Sequence, residues 1–181
     1  MKVAIFLANG FEEIEALTPV DVLRRAGVTV DIVGIGCNTA VGSHGISVVC
    51  DKTEGECDFT EYCMIILPGG MPGATNLDAS EFVDKAVRYA YENGKRLAAI
   101  CAAPLILGRR GMLNGRSAIC YPGFESELLG ASISECAVVT DGNITTAKGM
   151  GVALDFAKEL LRLLKGDDVA KRISDSIYDR G

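Results

Sequence analysis

Two hydrophobic patterns alternate along this chain. Short runs dense in apolar residues predict strands, and apolar residues recurring every three or four positions predict helices. Lys2–Leu7 is the first such run, Val28–Ile35 (VTVDIVGI) the second, and Ile46–Cys50 a shorter third. Tyr62–Leu67 (YCMIIL) is unbroken apart from its thiol and reads as a central strand, and Leu97–Ile100 reads as another buried one. Ser117–Cys120 is a short strand, and Ala137–Thr140 and Asn143–Ala147 flank Asp141-Gly142, a hairpin signal. Between these lie the helical stretches. Glu12–Ala26 carries Pro19, able to bend it, and ends before Gly27, a residue suited to the left-handed position past a helix end. Ser80–Asn93 is closed by Gly94. In Gly149–Leu164, Met150, Ala153, Leu154, Ala157, Leu160, Leu161 and Leu164 share one face, and Gly166 stops the helix. Asp167 or Asp168 can cap a last helix running to Tyr178, with Val169, Ile173 and Ile177 inward. Pro68–Gly73 holds too much proline and glycine for regular structure.

Strands alternating with helices, the strands continuously apolar, imply an α/β sandwich: a mostly parallel central sheet covered by helices on both faces. No linker, repeat or low-complexity stretch interrupts residues 1–181, so one domain is expected. Functional groups in such sheets gather beyond the carboxyl ends of the strands. Three loops qualify, at Ala8–Glu13, Pro68–Gly73 and Ile100–Ala103, and they can converge on one pocket.

Composition narrows the function. A hydrophobic content of 49% excludes a disordered chain, and a formal charge of −6 argues against a nucleic-acid partner. The apolar stretch Leu97–Gly108 is too short to span a bilayer, and the N-terminal apolar run is too short for a signal peptide. A cytoplasmic protein without a membrane partner is expected. Seven cysteines contain no C-x-x-C and no zinc spacing, and there is a single histidine, so neither a metal nor another cofactor is expected.

The chemistry centres on Arg96–Gly111. Cys101 ends an apolar run, and Pro104 opens a helix where its missing N–H costs little. A strand turning sharply into a helix at a nucleophilic side chain is the geometry of a nucleophile elbow, with Ala99 and Ala103 as its small flanking residues. Unpaired N–H groups at the helix start favour thiolate, which predicts a thiol pKa below the free value of about 8.5. A buried structural cysteine is the competing reading. Of Glu12, Glu13 and Glu15, the first two read as solvated first-turn carboxylates. Glu15, among Ile14, Ala16 and Leu17, reads as buried, with a raised pKa that lets it share a proton with Cys101. Gly69-Gly70 can present backbone N–H groups to an oxyanion. Dinucleotide and phosphate-loop motifs are absent. His44 sits in a polar stretch, Val41–Gly45, that reads as an exposed turn away from catalysis.

AICAAP at Ala99–Pro104, LPGG at Leu67–Gly70 and NGFEEIEALTPVDVLRRAG at Asn9–Gly27 together resemble the ThiJ/PfpI superfamily, in the branch of the parkinsonism-associated protein deglycase and its bacterial relative YajL. The resemblance runs from the first strand to the last helix. It implies a flavodoxin-like sandwich of the class I glutamine amidotransferase-like kind, commonly a homodimer. It implies that Cys101 is a reactive, oxidation-prone cysteine with Glu15 as its protonated partner, and that Gly70 and Ala102 supply N–H groups around the sulfur. It implies that Arg25 approaches the site from the partner subunit. Two activities follow as alternatives: cofactor-free glyoxalase or deglycase chemistry on small reactive aldehydes such as methylglyoxal, or on glycated protein and thiol adducts; and a non-enzymatic oxidative-stress sensor or redox-regulated chaperone. Cysteine peptidase and thiamine-thiazole biosynthesis are weaker readings. The peptidase branch has histidine where this chain has Ala102, and no phosphate-binding loop is present. Tyr121 stands where the parkinsonism-associated protein has a histidine, and Gly45, beside His44, where it has a second arginine. Glu15 is therefore left to carry proton transfer.

Overall fold

A computed structural model describes residues 1–179. Strand β1 is Lys2–Leu7, helix α1 Glu13–Arg25 and strand β2 Thr29–Gly34. A small hairpin follows, β3 (Thr39–Val41) and β4 (Ser47–Val49), and then the two-residue β5 (Lys52–Thr53). Next come β6 (Met64–Leu67), α2 (Gly73–Asp78), α3 (Glu81–Glu92), β7 (Arg96–Ile100) and α4 (Pro104–Arg109). The last part holds β8 (Ser117–Ala118), β9 (Ser132–Ile133), β10 (Val138–Asp141), β11 (Ile144–Ala147), α5 (Ala153–Lys165) and α6 (Asp167–Ser176).

The main sheet has the order β10-β11-β7-β6-β1-β2-β5. Every pair is parallel except β10 with β11, the hairpin that Asp141-Gly142 signalled. Alternate side chains of the central strands enter two separate cores. Val3, Ile5 and Leu7 of β1, with Ala98 and Ile100 of β7, face α1, α5 and the buried Ile173 of α6. Ala4 and Phe6, with Leu97 and Ala99, face α2, α3 and α4. The sheet is therefore covered on both sides, as the continuous apolar strands require.

Several details depart from the sequence pattern. Ile46–Cys50 contributes β4, which pairs with the unanticipated β3 and stays outside the main sheet. Ser117–Cys120 contributes β8, which pairs with β9 in a third, two-stranded sheet. Regular structure resumes at Gly73, where α2 begins, earlier than the glycine-rich composition suggests. The helix expected from Gly149 opens with a single 3-10 turn, and Met150 points outward at 53% exposure, while the buried face gains Phe156. Among the described residues no helix is long and apolar enough to cross a membrane.

Candidate active site

The three expected loops meet at the carboxyl ends of β1, β6 and β7. The Glu12 N–H donates to the Gly69 carbonyl at 2.9 Å, and the Gly73 N–H to the Gly10 carbonyl at 3.1 Å. Cys101 follows β7 directly. Its backbone sits at φ 64°, in the left-handed region, which costs a side-chain-bearing residue about 1–2 kcal/mol. Flanking structure holds it there: its N–H donates to the Ala147 carbonyl at 2.9 Å, and its carbonyl accepts from the Tyr121 N–H at 2.8 Å. Ala102 and Ala103 then turn the chain, and Pro104 opens α4. Ala99 and Ala103 are fully buried, so larger side chains would not fit in their places.

Glu15 lies in the first turn of α1 and is 1% exposed. Its Oε2 accepts the Gly69 N–H at 3.0 Å, while its Oε1 is buried without a hydrogen-bond partner of its own. Glycine at 69 is what brings carboxyl and thiol together. A β-carbon there would stand 2.7 Å from both the Cys101 β-carbon and Glu15 Oε2. Gly70, at φ 86°, packs against the backbone of Gly10–Glu12, where a β-carbon would approach the Glu12 nitrogen to 2.3 Å. The Gly70 and Ala102 N–H groups point at the Cys101 sulfur. Cys101, Glu15, Gly70 and Ala102 are thus brought into one cluster.

Burial dominates the electrostatics of the pair. It raises the Glu15 carboxyl to about 7, helped by the nearby charge of Glu12 and opposed by hydrogen bonds from Cys101 and the Gly69 N–H. It also pushes the Cys101 thiol up, to about 12, with the Glu15 charge adding to the effect and the Gly70 and Ala102 N–H groups offsetting only part of it. The expectation of a thiol below its free value is therefore corrected: desolvation and the neighbouring carboxylate outweigh the dipoles around the sulfur. With both groups raised, the pair carries one negative charge and shares one proton above about pH 7.

The other residues singled out lie elsewhere. His44 is exposed, as expected, and its Nδ1 bonds Glu13 Oε2 at 3.0 Å. Glu13 is not the solvated cap its position suggests. It is 3% exposed, and its Oε1 accepts the N–H groups of His44 at 2.8 Å and Ile46 at 3.4 Å. Burial alone would raise its carboxyl, but the bonds from His44 and the backbone hold it down at about 2. Among the described residues, Glu12, Glu13 and His44 bring two carboxylates and a ring nitrogen within 4.8 Å of one another. Arg25, at the far end of α1, pairs with Asp21 at 2.7 Å. Tyr121 is half-exposed, and its ring lies 3.3 Å from where a Gly149 β-carbon would stand. The contributions of the Gly69 and Met150 backbones to the Glu15 carboxyl carry no residue-type signal and were not foreseen.

The model of the DJ-1/PfpI family matches residues 1–163. DJ-1 homolog B of Arabidopsis thaliana is 36% identical over 99% of the chain, which spans only 42% of that longer relative. A deglycase of Pyrococcus horikoshii is 32% identical, with 91% of the chain and 100% of the relative covered. Among solved structures, oxidised DJ-1 of Toxoplasma gondii superposes with a TM-score of 0.94 at 33% identity, covering 99% of each chain.

Proposed function

The chain belongs to the DJ-1/PfpI family, and from that premise we propose that it is a cofactor-free glyoxalase or protein deglycase acting on methylglyoxal or its protein and thiol adducts through Cys101 and Glu15. The observation that carries the reading is the buried thiol–carboxyl pair sharing a proton under the Gly70 and Ala102 N–H groups. A carboxyl raised to about 7 is matched to proton transfer near neutral pH. Glu15 takes the thiol proton as the Cys101 sulfur adds to the aldehyde carbon, giving a hemithioacetal. The developing oxyanion is met by backbone N–H groups. Glu15 returns that proton to the oxyanion, then, again a carboxylate, moves a proton from the former aldehyde carbon to the adjacent carbonyl carbon while the hydroxyl proton passes between the two oxygens; the adduct becomes a thioester, and water releases lactate and the free thiol. The printed name of the Pyrococcus relative supports this class of substrate. We place the protein in the cytoplasm as a homodimer, with Arg25 reaching the partner's site.

Methylglyoxal consumption by the wild type, Cys101→Ser and Glu15→Gln tests the reading. Cys101→Ser abolishes turnover, and Glu15→Gln lowers kcat about 100-fold or more. In the wild type kcat/KM rises through about pH 7 as Glu15 ionises. Turnover by Cys101→Ser at the parental rate overturns the proposal.

One observation favours a second reading. The same N–H groups and the Glu15 carboxyl surround the sulfur closely enough to hold the oxygens of a sulfinate, and the Toxoplasma relative is described in an oxidised form. A peroxide sensor would oxidise first at Cys101 and show no methylglyoxal turnover.

A further inference from the structure

Cys37 and Cys50 take no part in the chemistry at Cys101. They stand at the base of the β3–β4 hairpin. The ladder pairs Val41 with Ser47 and Thr39 with Val49. One rung further the Cys50 N–H donates to the Asn38 carbonyl at 3.0 Å, which leaves Cys37 diagonal to Cys50. The two meet over Gly34, the last residue of β2. A β-carbon at Gly34 would stand 2.0 Å from the Cys37 carbonyl oxygen and 2.9 Å from the Cys50 sulfur. The missing side chain therefore lets the hairpin base settle onto β2 and sets the Cys50 sulfur beside the Cys37 backbone; burial raises both thiols above their ordinary pKa, and each lies close enough to influence the other. Both are free, both are half-buried, and both pack against the core beneath α1 and α5.

We propose that Cys37 and Cys50 form a reversible intramolecular disulfide, a redox site separate from Cys101 and closed by hydrogen peroxide. The thiolate of one cysteine attacks a peroxide oxygen, the O–O bond breaks, and the sulfur becomes a sulfenic acid as water leaves. The second sulfur attacks the first, the S–O bond breaks, and a second water carries off the remaining proton. Two thiols and one peroxide give one disulfide and two waters, with two electrons passing from sulfur to oxygen. The bridge ties together the two ends of the hairpin whose tip, at Ser43 and His44, bonds to Glu13.

Trypsin isolates the site. Cleavage after Arg25 and Lys52 releases residues 26–52, which contain both cysteines and no other. The wild type and Cys101→Ser are treated with peroxide, alkylated without reductant and digested. In both, the peptide is expected two hydrogen atoms lighter and unlabelled, and dithiothreitol before alkylation restores two labels. In Cys37→Ser and Cys50→Ser, checked for native circular dichroism, the bridge is lost. The proposal is overturned if both cysteines still take label at a peroxide dose that fully oxidises Cys101. It is equally overturned if either goes to sulfinic acid unbridged or joins a different cysteine. The Cys101→Ser arm keeps this result independent of the proposed activity.

Discussion

Glu15 is costly to the fold. Its carboxyl titrates at about 7 in the folded chain against an ordinary 4.5. Below pH 4.5 it is protonated in both folded and unfolded chains and has no effect on stability. Between the two values the unfolded chain releases its proton first, so stability falls as pH rises. Above about pH 7 the full cost is present, on the order of 3 kcal/mol. Glu15→Gln keeps the shape and removes the charge. It is expected to be more stable than the wild type by about 2–3 kcal/mol at pH 8 and indistinguishable from it at pH 4, as measured by urea denaturation. Equal stabilisation at both pH values would show that the gain comes from packing and not from the buried charge. A buried carboxyl that weakens the fold is the trade expected of a residue kept for function.

At the scale of elements, the start of α1 is fastened to the β3–β4 hairpin by Glu13. That carboxylate accepts N–H bonds from His44 and Ile46, and replacing it removes both. Glu13→Ala is expected to lower stability by about 2–3 kcal/mol. The chain has one histidine, so its NMR titration is read without overlap from any other, with Glu12 contributing beside Glu13. The bond to Glu13 raises the His44 pKa above its ordinary 6.5, and Glu13→Ala should return it toward that value. An unchanged titration would rule the clamp out. The same region marks where the sequence was legible. Glu15 could be identified as buried because Ile14, Ala16 and Leu17 surround it, and Cys101 because a strand run meets Pro104. The six longer strands of the main sheet were readable because burial on both faces leaves nearly unbroken apolar runs, or because Asp141-Gly142 marks a turn. β3 was not legible, since three residues between Asn38 and Gly42 show no period, and β5 is shorter still. The proton-sharing at Cys101 was legible in its partners but not in its direction, because desolvation depends on how tightly Gly69 and Gly70 close over the pair.

At the scale of the whole molecule, one apolar surface lies beside the site. Ile14 (49% exposed), Ile46 (54%) and Met150 (53%) line a cavity of about 260 Å³ together with Glu12, Glu13 and His44. Left in water, these side chains forgo about 25 cal/mol for each Å² of apolar surface a partner could cover. A second copy related by a two-fold axis is the simplest cover, because the same patch then meets itself. If the α1 helices cross antiparallel at that axis, the Arg25 end of one lies alongside the Glu13–Glu15 end of the other, a separation of roughly 15 Å along each helix. That arrangement brings a cation to a site where Glu12 and Glu15 repel each other, at the cost of the Arg25–Asp21 pair, which is exposed and therefore weak. The wild type is expected to sediment as a dimer at micromolar concentration. Ile14→Glu, which places a charge in the self-facing patch, is expected to sediment as a folded monomer. A monomeric wild type would remove the dimer, and a dimeric Ile14→Glu would move the interface to another face.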